Sequence, residues 1–180
     1  MQGVSHLYRL RHAMAAWPAV ANALIVSLVL SVGATPALAF ADCFGKAGRH
    51  YTIDPLLLRA IAEVESAMNP RLIGRNANGT VDVGLMQINS IHFGKLAQRG
   101  ITRDDLMNDP CVAVMAGAEI LSEFVRKHGY TWRAVGAYNA GSGPRREAAR
   151  QRYVAKVAER FARLVDKHAR GIGIRGEPLH

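Results

Sequence analysis

The chain has 180 residues, 49% of them hydrophobic, which fits a single domain with a sizeable core and argues against two domains. Its formal net charge is +9, so acidic partners are favoured: nucleic acid, an anionic membrane or an acidic polymer such as bacterial cell wall. No His or Cys cluster has ligand spacing, which argues against a metal centre, and no internal repeat or low-complexity segment occurs.

In chain order, Arg9, Arg11 and His12 precede an apolar run from about Ala13 to Val32, followed by PALAFAD. Ala37-Leu38-Ala39 and Ala39-Phe40-Ala41 both fit the small-x-small pattern of a signal-peptide cleavage site. Residues 1–41 are therefore read as a signal peptide, cut after Ala41, and the mature protein as periplasmic. A membrane contact is expected only if that segment is retained. Cys43 and Cys111 are the two cysteines, and an even pair in an exported chain predicts a disulfide.

The mature part reads as mostly α. A short first helix is expected over 43–50. Asp54-Pro55 is a helix start, with Asp as cap and Pro at the first helical position. That helix carries Leu56, Leu57, Leu58, Ile61 and Val64 and should stop at Asn69-Pro70. Asn78-Gly79 predicts the turn of a small β-hairpin near 77–84, with a small helix through GLMQIN after it. Asp109-Pro110 repeats the start signal and opens a long helix ending at Gly129. Thr131 is expected to cap a short helix from Trp132 to Tyr138. A last helix over about 145–168 follows, carrying Arg145, Arg146, Arg150, Arg152, Lys156, Arg160 and Arg163, and residues 169–180 read as a flexible basic tail.

Glu65 stands out because it falls near the end of a helix, on the face that Ile61 and Ala62 bury. Burying a charged carboxylate is costly. An exposed Glu has a pKa near 4.3 and no proton to give at neutral pH, whereas partial burial raises the pKa and makes a general acid. Two further motifs accompany it: Gly84-Leu85-Met86-Gln87-Ile88 and Ala137-Tyr138-Asn139-Ala140-Gly141. Each alone is weak; a late Glu is usually a surface residue, and AYNAG reads equally as a helix end.

In this order, from about Asp42 to Leu164, the chain resembles the lytic transglycosylases with a goose-lysozyme-like (SLT type) catalytic domain. Within that family it is most similar to the small invasion-protein-type accessory enzymes of secretion and conjugation systems. The resemblance implies a lysozyme-like (α+β) domain over 42–168. It also implies cleavage of peptidoglycan between N-acetylmuramic acid and N-acetylglucosamine, with 1,6-anhydromuramic ends and no cofactor. Glu65 matches the family's catalytic acid/base. Ser66, Met86, Gln87, Tyr138, Asn139 and Tyr153 match positions that bind sugar or orient the Glu. Partners implied are glycan strands and components of a type III or type IV apparatus; no recognition motif supports a nucleic-acid role.

NANGTVDVGLMQINS also resembles the chicken-type lysozymes, where an aspartate stands at the place of Asp82. Retaining hydrolases hold two carboxylates about 5–5.5 Å apart. A muramidase using Glu65 and Asp82 is thus the alternative reading, against a role for Asp82 in local turn bonding. A non-catalytic peptidoglycan-binding scaffold is the alternative of another class.

Overall fold

The computed structural model describes residues 36–173. Most of the segment expected to be a signal peptide, residues 1–41, and the tail from residue 174 lie outside the described residues. Helix α1 (Pro36–Tyr51) begins earlier than the expected 43–50. Helix α2 (Pro55–Ser66) starts at the predicted signal: Asp54 accepts from the Leu56 amide and Pro55 fills the first position. It ends at Ala67, in the left-handed region at φ 51°, before Asn69-Pro70 is reached.

A three-stranded antiparallel sheet follows, of β1 (Ile73–Arg75), β2 (Val81–Val83) and β3 (Ile88–Asn89), in that spatial order. The hairpin is where Asn78-Gly79 put it, with Asp82 opposite both Gly74 and Asn89. The expected helix through GLMQIN is absent. Residues 84–87 form a turn, and Ile88 and Asn89 are strand. Gly84 has φ +76°, and a Cβ there would stand 2.2 Å from the Leu106 carbonyl oxygen, so only glycine permits the close approach. Gln87 also sits at positive φ, 46°. The apolar residues of this segment mark a buried turn rather than a helix face.

Two short helices, α3 (Phe93–Ala97) and α4 (Arg103–Asn108), fill the stretch before Asp109. Thr102 and Asp105 close a capping box on α4. Asp109 then caps α5 (Pro110–His128) through the Cys111 and Val112 amides. Helix α6 (Trp132–Ala140) follows; Thr131 precedes it without a side-chain cap, its hydroxyl donating instead to the His128 carbonyl. A 3-10 turn at Pro144–Arg146 leads into α7 (Glu147–Gly173), which carries the helix past residue 168.

Helix α5 lies centrally, packed by α1 and α6, while α2 packs on α7 and α7 on α6. Leu58, Ile61, Leu85, Ile88, Leu106, Val114, Leu121 and Val157 fill the core between them. Helices α6 and α7 approach closely at Gly136, where a Cβ would meet the Arg150 Cβ at 2.8 Å. The mostly α class with a small β element predicted from the sequence is the one observed. Among the described residues no helix is long and apolar enough to cross a membrane.

The expected Cys43–Cys111 disulfide is present and ties α1 to the start of α5 across 68 residues of chain. Closing a loop of that length constrains the unfolded chain by on the order of 4 kcal/mol. The paired Cys43→Ser, Cys111→Ser variant should lose about that much stability in urea denaturation; an unchanged midpoint would show that the bond adds nothing.

Candidate active site

The geometry of α2 places Glu65 in its last turn, on the side that faces α7. Tyr153, buried on α7, donates its hydroxyl to Glu65 Oε1 at 2.6 Å. Both residues line a cleft of about 290 Å³ with Val64, Asn139, Ala149, Arg152 and Lys156. A second tie between the helices is made by Glu63, which bridges Arg59 at 3.1 Å and Arg160 of α7 at 3.5 Å.

Burial pushes the Glu65 carboxyl up from the ordinary range to about 7. The Tyr153 hydrogen bond opposes this, the Asp82 charge adds to it, and an Asn139 hydrogen bond and the Lys156 charge oppose it. Burial is the largest influence, so Glu65 holds a proton near neutral pH. The Tyr153 and Tyr138 hydroxyls are pushed well above their usual range, by burial first and by the Glu65 charge next, and remain neutral donors.

Four other expected site residues are tied to or part of the 84–87 turn. Ser66 is buried; its hydroxyl points to the Leu85 carbonyl at 2.8 Å and the Ala62 carbonyl at 3.1 Å. Tyr138 on α6 donates to the Met86 carbonyl at 2.8 Å. The Met86 side chain is fully buried, and Gly117 of α5 leaves it room: a Cβ there would stand 2.7 Å from Met86 Cε. Gln87 Nε2 donates to the Leu72 carbonyl at 3.0 Å and the Gly84 carbonyl at 2.9 Å. These four residues thus hold the 84–87 turn against α2, α5 and α6. Their polar groups are engaged with backbone, and of the seven expected sugar-site and catalytic residues only Glu65, Asn139 and Tyr153 line the cleft.

Asp82 on β2 has both carboxylate oxygens occupied. Asn76 Nδ2 donates to Oδ2 at 2.8 Å and Asn89 Nδ2 to Oδ1 at 2.7 Å. Its charge reaches Glu65, but it is not among the residues lining the Glu65 cleft.

Arg150 is a positioning residue that sequence reading assigned only to the basic helix. Its side chain is 2% exposed. Nη1 donates to the Gly141 and Gly143 carbonyls at 2.8 and 2.9 Å, and Nε and Nη2 donate to Glu147. Arg146 Nε reaches the Ala140 carbonyl at 3.1 Å. Two guanidinium groups therefore satisfy carbonyls at and just beyond the end of α6, where a helix has free acceptors and a negative dipole end. That fixes the end of α6 and with it Asn139. Among the described residues no group of three or more His, Cys, Asp or Glu side chains forms a metal set.

A mostly helical fold with a small sheet thus carries one half-buried glutamate, its pKa raised by burial, beside a tyrosine in an open cleft, an arrangement suited to acid-dependent bond cleavage. Residues 42–161 match the Transglycosylase SLT domain, and the chain belongs to that family, the peptidoglycan lytic transglycosylases. It is 46% identical over 141 residues to the invasion protein IagB of Salmonella typhimurium, covering 78% of this chain and 86% of that protein. It is 42% identical over 129 residues to protein IpgF of Shigella flexneri, covering 72% of this chain and 85% of the other. In structure it is similar to the lytic transglycosylase Slt of Pseudomonas aeruginosa, solved as an inactive mutant, with TM-score 0.57 and 22% identity. That likeness spans 71% of this chain and 24% of the other, and it concerns the fold.

The Tyr153 hydroxyl favours the charged form of Glu65, so its removal should raise the Glu65 pKa further above about 7. Donation requires the protonated acid, whose population falls as pH rises through that pKa. Tyr153→Phe should therefore move the alkaline limb of the kcat/KM profile, which reports the acid of the free enzyme, to higher pH, while lost orientation lowers kcat/KM roughly tenfold. A limb that stays put would show that the 2.6 Å contact does not tune the acid.

Proposed function

We propose that the mature chain cleaves periplasmic peptidoglycan between N-acetylmuramic acid and N-acetylglucosamine as a lytic transglycosylase, with Glu65 serving both halves of the reaction. The observation that carries this reading is the half-buried Glu65 carboxyl, held near pKa 7 against the Tyr153 hydroxyl. A group poised there is protonated often enough to give a proton and basic enough to take one back.

In the first half Glu65 donates its proton to the glycosidic oxygen, the bond to the muramic C1 breaks, and N-acetylglucosamine leaves with the proton on its hydroxyl. The substrate's own N-acetyl group stabilises the positive charge at C1. In the second half the Glu65 carboxylate takes the proton of the muramic C6 hydroxyl as that oxygen closes on C1. A 1,6-anhydro ring results, Glu65 is protonated again, and no water is consumed. The neutral Tyr153 donor steadies the carboxylate between the halves.

Asp82 favours this reading over hydrolysis. It is not among the residues lining the Glu65 cleft, and Asn76 and Asn89 hold both of its oxygens in the sheet by amide hydrogen bonds. Its contribution is a negative charge that helps keep Glu65 protonated. The likeness to the invasion protein IagB supports service to a secretion apparatus, with local opening of the wall during its assembly.

Digestion of purified sacculi, read by mass spectrometry, tests the proposal. Muropeptides ending in 1,6-anhydromuramic acid are expected, and Glu65→Gln should cut the rate by roughly 10²–10⁴-fold with the fold intact. Reducing ends, one water heavier, would instead make the enzyme a muramidase, and a Glu65→Gln variant with near-normal rates would overturn the role of Glu65.

A further inference from the structure

The cleft is asymmetric in charge, and the cause lies in α7. Arg152 and Lys156 are one helical turn apart, flank Tyr153, and line the cleft with Glu65. Both side chains are exposed, and neither forms an ion pair within 4 Å with any described residue. Three other α7 cations have acidic partners: Arg150 with Glu147, Arg160 with Glu63, and Arg163 with Glu159. Arg152 and Lys156 are thus the cations of this helix that meet whatever enters the cleft.

Two open cations beside a site that needs a neutral, protonated Glu65 call for an explanation. The Lys156 charge opposes the protonated form of Glu65, so it works against the acid in the empty cleft. An anionic ligand group at Lys156 would relieve that opposition. The sugars themselves are neutral, because the muramic lactyl group is an amide once a peptide stem is attached. The carboxylates of the substrate lie on the stem. A guanidinium paired with an ammonium one turn along suits one or two such carboxylates.

We propose that Arg152 and Lys156 form a carboxylate subsite that selects glycan strands bearing anionic peptide stems. This rests on the peptidoglycan-cleaving reading above and adds a substrate class to it. The subsite acts on binding: it places a stem against α7 and so sets which muramic residue lies over Glu65. Exposed charge pairs are individually weak and screened by salt, so the two together should give discrimination of about tenfold rather than an absolute requirement.

The test uses two preparations of soluble glycan strands from the same sacculi. One keeps its stem carboxylates; in the other they are capped as neutral amides by carbodiimide coupling. The mature enzyme should cleave the capped strands with kcat/KM about tenfold lower, chiefly through a higher KM. The ratio should fall to near one in the double variant Arg152→Gln, Lys156→Gln, persist in the charge-conserving Arg152→Lys, Lys156→Arg, and persist in Arg163→Gln, which removes a cation of the same helix paired elsewhere. Equal cleavage of both preparations by the unaltered enzyme, or a ratio that survives the double Gln change, would overturn the subsite. The chemistry of the new ends is read in the same digest, so reducing ends would count against the transglycosylase reading alone while the ratio still judges the subsite.

Discussion

The burial of one carboxyl group organises this molecule. Glu65 ends a helix whose preceding turns are packed, with Ile61 and Ala62 fully covered, so its side chain emerges at the edge of the core. Being half out of water disfavours its charge, and the Tyr153 hydroxyl gives it a fixed partner. Too much burial would make the proton impossible to release, and too little would leave the acid ionised. Donors at Tyr153 and Asn139 pull one way, desolvation and Asp82 the other, and the balance near 7 suits the proposed role of giving and then accepting a proton.

The rest of the structure holds the parts around that group. Ser66, the residue after the acid, ties the end of α2 to the 84–87 turn, and Tyr138 ties α6 to the same turn. Gly84 and Gln87 accept positive φ so that the turn can lie under the site. Arg150 and Arg146 hold the end of α6, which carries Asn139. Asn76 and Asn89 clamp Asp82 in the sheet on the other side. Polar groups that look like substrate contacts in the sequence are thus largely spent on backbone, and the surface left open to a glycan is formed by fewer residues.

Much of this was legible in the sequence because local rules were obeyed. Asp54-Pro55 and Asp109-Pro110 mark helix starts, and both open helices as expected. Asn78-Gly79 marks the hairpin. Cys43 and Cys111 pair. GLMQIN misled because its burial comes from tertiary packing of a turn, enforced by the Leu106 carbonyl against Gly84, a contact that no local pattern encodes. Ser66, Met86 and Gln87 were expected at the site but do not line the cleft, because which way their side chains point depends on partners 15 to 20 residues or more away in the chain. Arg150 was hidden among basic neighbours; its burial depends on Gly136, which lets α6 and α7 approach. The spacing of Arg152, Tyr153 and Lys156 was visible, yet their place beside Glu65 depends on how α7 crosses α2.

The central claim is that burial poises Glu65 to exchange its proton near neutral pH. A carbon-13 NMR titration of the glutamate side-chain carboxyls in residues 42–180, with Glu65→Gln to assign the resonance, tests it most directly. The account predicts a midpoint of about 7 for Glu65. A midpoint near 4.3, the value of an exposed glutamate, would contradict it.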